Sequence, residues 1–314
     1  MGGGDTVLFS NPWQPCNHWS KVSPLKTRLI INLRSGRAAR HLDELREFAA
    51  RHDAAIVLTE RARHARELAA AAVIAGCELV VAVGGDGTMN EVAGALIGTP
   101  AILGLVPCGS GDGLGRHLRI HGSIARACDI LLHGRSRAID TGTADGHAFF
   151  TAAGIGFEAE IAHRFNSLRR RGFARYVATV ARTFWGWRPQ AYRVEHHGAR
   201  EEFRAFTLAV ANSDQYGNDA RIAPGARVDD GLLDLCAVPP VTLWNALPLA
   251  ARLMNGTLDR LPGIALRRSE RFVVEREHRG LLHTDGELHE AGTRIEFVVR
   301  PQSLRVMCPV ESSV

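Results

Sequence analysis

The chain has 314 residues, 46% hydrophobic and 23% charged, a balance that excludes disordered and fibrous classes and belongs to folded globular proteins. It is longer than one hydrophobic core ordinarily serves, so two domains are expected. The formal net charge of +5 favours an anionic partner, and no apolar run reaches the roughly 18 residues that a membrane-spanning helix needs.

Residues 1–26 lack a basic start followed by an apolar stretch, so they read as a flexible extension and not as a secretion signal. Cys16, Cys77, Cys108, Cys128, Cys236 and Cys308 form no Cys-x-x-Cys pair, which implies a reduced, cytoplasmic setting. From 27 to 140, short apolar runs alternate with helical stretches. Leu29–Ile31 precedes a helix over 38–51, and Ala55–Leu58 precedes one over 62–75. Leu79–Val83 leads to a helix from about Asn90, and Ala101–Val106 follows. Strands regularly separated by helices predict a parallel sheet covered on both faces, a three-layer α/β domain. From 141 to 310 the pattern turns to strand-like runs, among them 203–211, 232–238, 272–274 and 294–299. This half reads as a mostly antiparallel β domain with helical insertions near 159–184 and 242–255, whose last strand may return to the first domain.

The most informative stretch is Leu79-Val80-Val81-Ala82-Val83-Gly84-Gly85-Asp86-Gly87-Thr88-Met89-Asn90. A buried strand ends in glycines and a helix begins almost at once, so backbone amides at the helix start are free to bind phosphate oxygens. Asp86 lies inside that loop, where its charge would repel bound phosphates unless a cation such as magnesium stood between them. A second glycine loop, Gly109-Ser110-Gly111-Asp112-Gly113, follows the next strand and should lie beside the first. There is no Gly-x-x-x-x-Gly-Lys-Ser/Thr loop, and the only lysines are Lys21 and Lys26, so a P-loop NTPase is excluded.

Gly84-Gly85-Asp86-Gly87-Thr88-Met89-Asn90-Glu91-Val92 resembles the signature of the diacylglycerol kinase catalytic-domain family, with its bacterial lipid kinases and its sphingosine and ceramide kinase relatives. Asn32-Leu33-Arg34-Ser35-Gly36, the second glycine loop, Asp229-Asp230-Gly231-Leu232 and Asp285-Gly286-Glu287 continue the resemblance in order. It implies a C-terminal β-sandwich domain that binds lipid and carries catalysis, with ATP and Mg²⁺ as cofactors. ATP would contact Asn32, Thr59, Gly84, Gly85, Asp86, Gly87, Thr88, Met89, Asn90 and Ser110. Glu287 would be the general base and Asp86 would place the catalytic metal or the phosphates. Asp230, with the backbone oxygens of Arg227 and Leu232, would hold a further structural magnesium. The sequence departs from the family pattern at Leu33, where proline is usual, and at Asp112, where asparagine is usual. Taken alone, Asp285-Gly286-Glu287 is a turn signal with an acid after it, and Asp229-Asp230-Gly231 a solvated turn.

Between 161 and 188 stand seven arginines, no acidic residue, and aromatic residues ending in Trp185 and Trp187. A basic amphipathic helix of this kind suits a peripheral, anionic membrane surface, so the expected substrate is a membrane lipid. Leu247, Leu249, Leu253 and Met254 would form a second wall of an apolar acceptor pocket. Nucleic acid is not the expected partner, because the aromatic residues lie on helix and not on a stacking sheet. A homodimer is compatible with this reading. Two rivals stay open: a soluble NAD kinase-like phosphotransferase, and a non-catalytic nucleotide-binding protein of the same fold.

Overall fold

The computed structural model describes residues 25–109, 111–166, 173–217 and 219–310. The N-terminal extension before Leu25, Ser110 and the Arg169–Arg171 cluster lie outside the described residues. In chain order the first half contains β1 (Thr27–Ile31), α1 (Leu42–Arg51), β2 (Ala55–Leu58), α2 (His64–Ile74), β3 (Leu79–Gly84) and α3 (Asp86–Leu96), then β4 (Ile102–Pro107), α4 (Gly113–His117), α5 (Ile124–His133) and β5 (Arg135–Ala144). The second half opens with β6 (His147–Phe149), β7 (Ala152–Gly156), α6 (Phe157–Asn166), α7 (Phe173–Gly186), β8 (Gln190–His196), β9 (Ala199–Ala205) and β10 (Thr207–Ala211). It continues with β11 (Gln215–Gly217), β12 (Ala220–Arg221), β13 (Leu233–Val238) and α8 (Leu243–Asn255). It closes with β14 (Ala265–Ser269), β15 (Arg271–Arg276), β16 (Gly280–Thr284), β17 (Glu287–Ala291) and β18 (Arg294–Cys308).

β2, β1, β3 and β4 pair in parallel, with Leu79–Gly84 wholly buried, as expected of a strand covered on both faces. The sheet does not end there. Arg305 and Val306 of β18 pair in parallel with Ile102 and Leu103 of β4, and the other end of β18 pairs antiparallel with β15, which continues to β8 and β9. A second, six-stranded antiparallel sheet has the order β14-β13-β10-β7-β16-β17.

Strand alternation gives that second sheet two apolar faces. Ile155, Leu208, Val210, Leu235 and Leu282 meet Tyr192, Val194, Phe272, Val274 and Phe297 of the first sheet, which forms the sandwich core. Ala209, Ala211, Cys236 and Val238, on the opposite face, lie under Phe157, Phe184, Leu249 and Leu253 of α6, α7 and α8. The expected 203–211 run is two strands, β9 and β10, which lie in different sheets and part at Phe206. The helix expected from Asn90 starts at Asp86, so Asp86, Gly87, Thr88 and Met89 form its first turn instead of a preceding loop.

Candidate active site

The carboxyl ends of β1, β3 and β4 bring three loops together. Gly36 has φ +54°, and a Cβ there would lie 1.8 Å from the Cys108 carbonyl oxygen, so the first loop meets the third only as glycine. A Cβ on Gly109 would likewise come within 2.8 Å of Gly85 Cα. Polar contacts then tie the loops. Gly85 N donates to Ser35 Oγ at 2.7 Å, and Asn32 Nδ2 donates to Thr88 Oγ1 at 3.0 Å. Thr59 follows β2 at the same edge of the sheet, its amide donating to Ile31 O at 3.0 Å.

Gly85 is the N-cap of α3 and has no side chain to accept from the first turn. Among the described residues the amides of Asp86, Gly87 and Thr88 have no hydrogen-bond partner, while Met89 N donates to Gly85 O at 3.0 Å. Unpaired amides at the positive end of an eleven-residue helix form an anion site. Asp86 turns away from its own helix and accepts from Asp112 N at 3.1 Å and Gly113 N at 3.0 Å, joining the two glycine loops. Each oxygen still has acceptor capacity, since a carboxylate can take about four hydrogen bonds. Met89 packs its side chain into the α/β core at 8% exposure, so only its backbone is left for phosphate.

Asp112 stands in the left-handed region at φ 49°, with Asp86 beside it. Burial pushes its carboxyl up to about 6, the Asp86 charge adds to this, and Arg116 opposes it. Two carboxylates this close repel one another, and a divalent cation between them would relieve the repulsion that helps to keep Asp112 from ionising. The raised value also sets a pH-dependent cost. Wild-type stability falls as pH rises from the ordinary 3.8 through about 6, because the folded state then gives up a proton that it holds more tightly than the unfolded chain. Asparagine tolerates the left-handed conformation and does not ionise. Asp112→Asn is therefore expected to melt several degrees higher than wild type above pH 6, with the gap closing as pH falls toward 4. Scanning calorimetry across that range checks it, and a gap that is constant or grows on acidification contradicts the assignment.

A cavity of about 600 Å³ opens directly from this loop. Asp86, Met89 and Asn90 line its polar end, together with Thr151, Glu158, Tyr216, His283 and Asp285. Its far end is apolar, formed by Val180 and Phe184 of α7, Leu249 and Leu253 of α8, and Phe206 and Val241 between them. Of the wall expected from α8, Leu249 and Leu253 face the cavity, whereas Leu247 is 78% exposed and Met254 is 51% exposed.

The β16–β17 hairpin turns at Asp285 and Gly286, both at positive φ, the geometry an Asp-Gly turn favours. The Asp285 carboxylate accepts from Phe150 N at 2.7 Å, Thr151 N at 2.9 Å, Ala152 N at 3.1 Å and the Thr151 hydroxyl. Burial pushes this carboxyl above the ordinary range, and the four donors pull against it. Oδ1 accepts three of these bonds and Oδ2 one, so the Asp285 carboxylate ties the hairpin tip to the start of β7. Glu287 opens β17, two residues on. It is exposed and makes no hydrogen bond or ion pair among the described residues, and Asp285 and Gly286, not Glu287 itself, line the cavity. Sequence reasoning did not single out Glu158, Tyr216, His283 or the role of Asp285, because they stand on α6, β11, β16 and the β16–β17 turn, which only long-range contacts bring together.

Arg227, Asp230 and Leu232 occupy one loop, some distance along the chain from this cavity. Asp230 Oδ1 accepts from Leu232 N at 3.1 Å, and Oδ2 is ion-paired with Arg268. The donor chemistry suits a hard cation, and the Arg268 guanidinium sits on the same Asp230 oxygen, so a cation here would share or displace it.

On α7, Arg175 and Arg182 are exposed and Trp185 is 70% exposed, but Trp187 is anchored by donating to Phe206 O at 2.9 Å. The expected pair of interfacial tryptophans is thus one exposed and one structural. Arg164 pairs with Glu160 at 2.6 Å. Three apolar residues of α8 add to the exposed edge, Leu243 at 61%, Trp244 at 92% and Leu247 at 78%. No helix among the described residues is long and apolar enough to cross a membrane.

Residues 26–144 match the family model of the diacylglycerol kinase catalytic domain, and residues 151–308 match that of the YegS C-terminal NAD kinase beta sandwich-like domain. A "Probable lipid kinase YegS-like" protein of Pseudomonas fluorescens is 32% identical over 270 residues, 84% of this chain and 88% of the relative. A diacylglycerol kinase of Bacillus subtilis is 27% identical over 299 residues, 92% of this chain and 98% of the relative. The fold matches the crystal structure of a diacylglycerol kinase from Bacillus anthracis with a TM-score of 0.70 at 18% identity, covering 90% of this chain and 96% of that one.

Proposed function

The chain belongs to the diacylglycerol kinase catalytic-domain family of lipid kinases, and from that premise we propose that it transfers the γ-phosphoryl group of ATP to a hydroxyl of a membrane lipid. The observation that carries this reading is the single cavity shared by the phosphate loop and an apolar chamber. A soluble acceptor such as a dinucleotide has no use for walls of Val180, Phe184, Leu249 and Leu253, whereas acyl chains do.

In this reading the triphosphate lies on the amides of Asp86, Gly87 and Thr88, with Asn32, Thr59, Gly84, Gly85 and Asn90 around it. Magnesium, held by Asp86 and Asp112, would supply charge neutralisation at the phosphates. Met89 closes the floor between nucleotide and lipid. Glu287, the unpaired carboxylate beside the hairpin tip, takes the acceptor hydroxyl's proton as the oxygen attacks phosphorus. The Asp285 carboxylate fixes the hairpin on which Glu287 stands.

Access comes from the bilayer. Leu243, Trp244, Leu247 and Trp185 form an apolar edge on the helices that wall the chamber, and Arg175, Arg182 and Arg188 supply the charge for anionic headgroups. The protein would act in the cytoplasm, attached peripherally to the membrane. Labelled ATP with magnesium and a panel of diacylglycerol, phosphatidylglycerol, a sphingoid base and ceramide tests the proposal. Label should pass to at least one of them. Calorimetry that detects no uptake of ATP at millimolar magnesium overturns it.

A further inference from the structure

A second cavity, of about 540 Å³, shares no lining residue with the acceptor chamber. It lies between the link from α7 to β8, residues 186–191, and the turn from β15 to β16, residues 276–281, with Gly156 of β7 and Glu160 of α6 beside them. Three guanidinium groups line it, those of Arg188, Arg276 and Arg279.

Arg276 is 9% exposed. Its Nε donates to Gly292 O at 3.0 Å, Nη1 to Leu281 O at 3.1 Å, and Nη2 to Gly280 O at 2.8 Å and Ala291 O at 3.0 Å. These carbonyls fix the group in place but carry no net charge, and no carboxylate pairs with it among the described residues. A cation so deeply placed is costly until an anion stands near it. Arg188 and Arg279 are exposed and likewise have no hydrogen-bond or ion-pair partner among the described residues. Other arginines of the same sheet are matched, Arg193 with Glu202, Arg200 with Glu195, Arg271 with Glu296 and Arg294 with Glu275. The two acids at the cavity do not supply the missing charge. Glu160 pairs with Arg164 at 2.6 Å, and Glu277 is turned to solvent, facing His278 at 3.6 Å.

An arginine fork matches phosphate oxygens two at a time. A phosphate monoester brings three acceptor oxygens and about two negative charges at neutral pH, against one for a carboxylate. The cavity far exceeds what a bare phosphate fills, so the organic part of an ester fits as well. Trp187 ties this place to the acceptor chamber. It lines the second cavity, donates to Phe206 O, and sets its ring edge-on to Phe157 at 5.9 Å, and Phe157 and Phe206 both line the chamber. An occupant would brace that wall from behind.

We infer that this cavity is a second, non-catalytic binding site for a phosphate monoester, carried by a lipid headgroup or by a small soluble molecule, gripped by Arg188 and Arg279 beside the fixed charge of Arg276. The inference uses none of the lipid kinase reading.

Binding to the full chain is measured with ADP and magnesium present, so that the loop at Gly85 is occupied. Calorimetry with glycerol 3-phosphate tests the soluble source. Vesicles carrying dioleoylphosphatidate, matched in surface charge against vesicles carrying dioleoylphosphatidylglycerol, test the lipid source. Wild type should bind glycerol 3-phosphate, or prefer phosphatidate to the diester lipid, or both. Arg188→Ala/Arg279→Ala should weaken the first or erase the second by at least about tenfold, the size expected for lost hydrogen bonds between charged groups. Arg175→Ala/Arg182→Ala removes the same charge from α7 at positions that line neither cavity, and should leave glycerol 3-phosphate binding and the lipid preference as they were. Hydrogen exchange should slow on binding at residues 186–191 and 276–281. No binding from either source, binding that Arg188→Ala/Arg279→Ala retains in full, or protection confined to residues 84–90 overturns the inference and leaves the kinase reading untouched. Failure to phosphorylate any lipid of the panel above bears on that reading alone.

Discussion

Glu287→Ala is expected to lower kcat by at least about a hundredfold while ATP binds as before, a loss of the size typical for a general base. The expectation rests on elimination among the carboxylates near the hairpin tip. Asp285 accepts from three amides and a hydroxyl, and Asp86 accepts from the amides of Asp112 and Gly113 and faces the phosphate loop, where a cation would engage it. Glu287 alone of the three is without a partner, at the start of a strand whose hairpin tip lines the cavity. Its side chain stands exposed. Glu287→Gln keeps the shape and removes the basicity, so it should fall as far as alanine. Steady-state rates beside calorimetric ATP affinity separate the two effects, and a Glu287→Gln variant with more than about a tenth of wild-type kcat contradicts the role.

Asp285→Ala is expected to cost about 4 kcal/mol of stability and to lower the melting temperature by about 10 °C. Removing this carboxylate leaves the amides of Phe150, Thr151 and Ala152 and the Thr151 hydroxyl without their shared acceptor. Asp285→Asn should recover only part of the loss, since the new NH₂ group must face at least one N–H. Activity should fall in both variants, because the hairpin that carries Glu287 is no longer pinned to β7 at its tip. Thermal unfolding with tryptophan fluorescence measures the first effect. A shift below about 3 °C for the alanine variant shows that water replaces the carboxylate at little cost, and that Asp285 is not the pin.

The α/β half was largely legible. Continuous apolar strands such as Leu79–Gly84 announce a parallel sheet, and the glycines after them announce a phosphate loop. The start of α3 was misplaced to Asn90 because Gly85 and Gly87 argue against helix locally. Tertiary contacts decide otherwise: Ser35 accepts the Gly85 amide, and Asp86 secures the neighbouring loop. The β half was read more coarsely. Strands β16 and β17 carry His283, Thr284, Glu287, His289 and Glu290, a polar composition that hides a strand edging both a core and a cavity. Glu158 of α6 and Tyr216 of β11 are 58 positions apart in the chain and meet only in the folded molecule. Gly154 and Gly156 in an otherwise buried run were the one local hint that something approaches β7 closely. The loop of Asp229 and Asp230 reads locally as a turn, and its ion pairs with Arg137 and Arg268 depend on residues distant in the chain.

The long strand β18 joins β15 at one end and β4 at the other, and Asp140 bridges Gly231 N and Gln302 N at 2.7 Å each beside it. Where the halves meet, the pairing of β18 with β5 shifts register between Arg300 and Leu304. The shared ladder is bent at its crossing, and any relative motion of the two halves would concentrate at that irregularity.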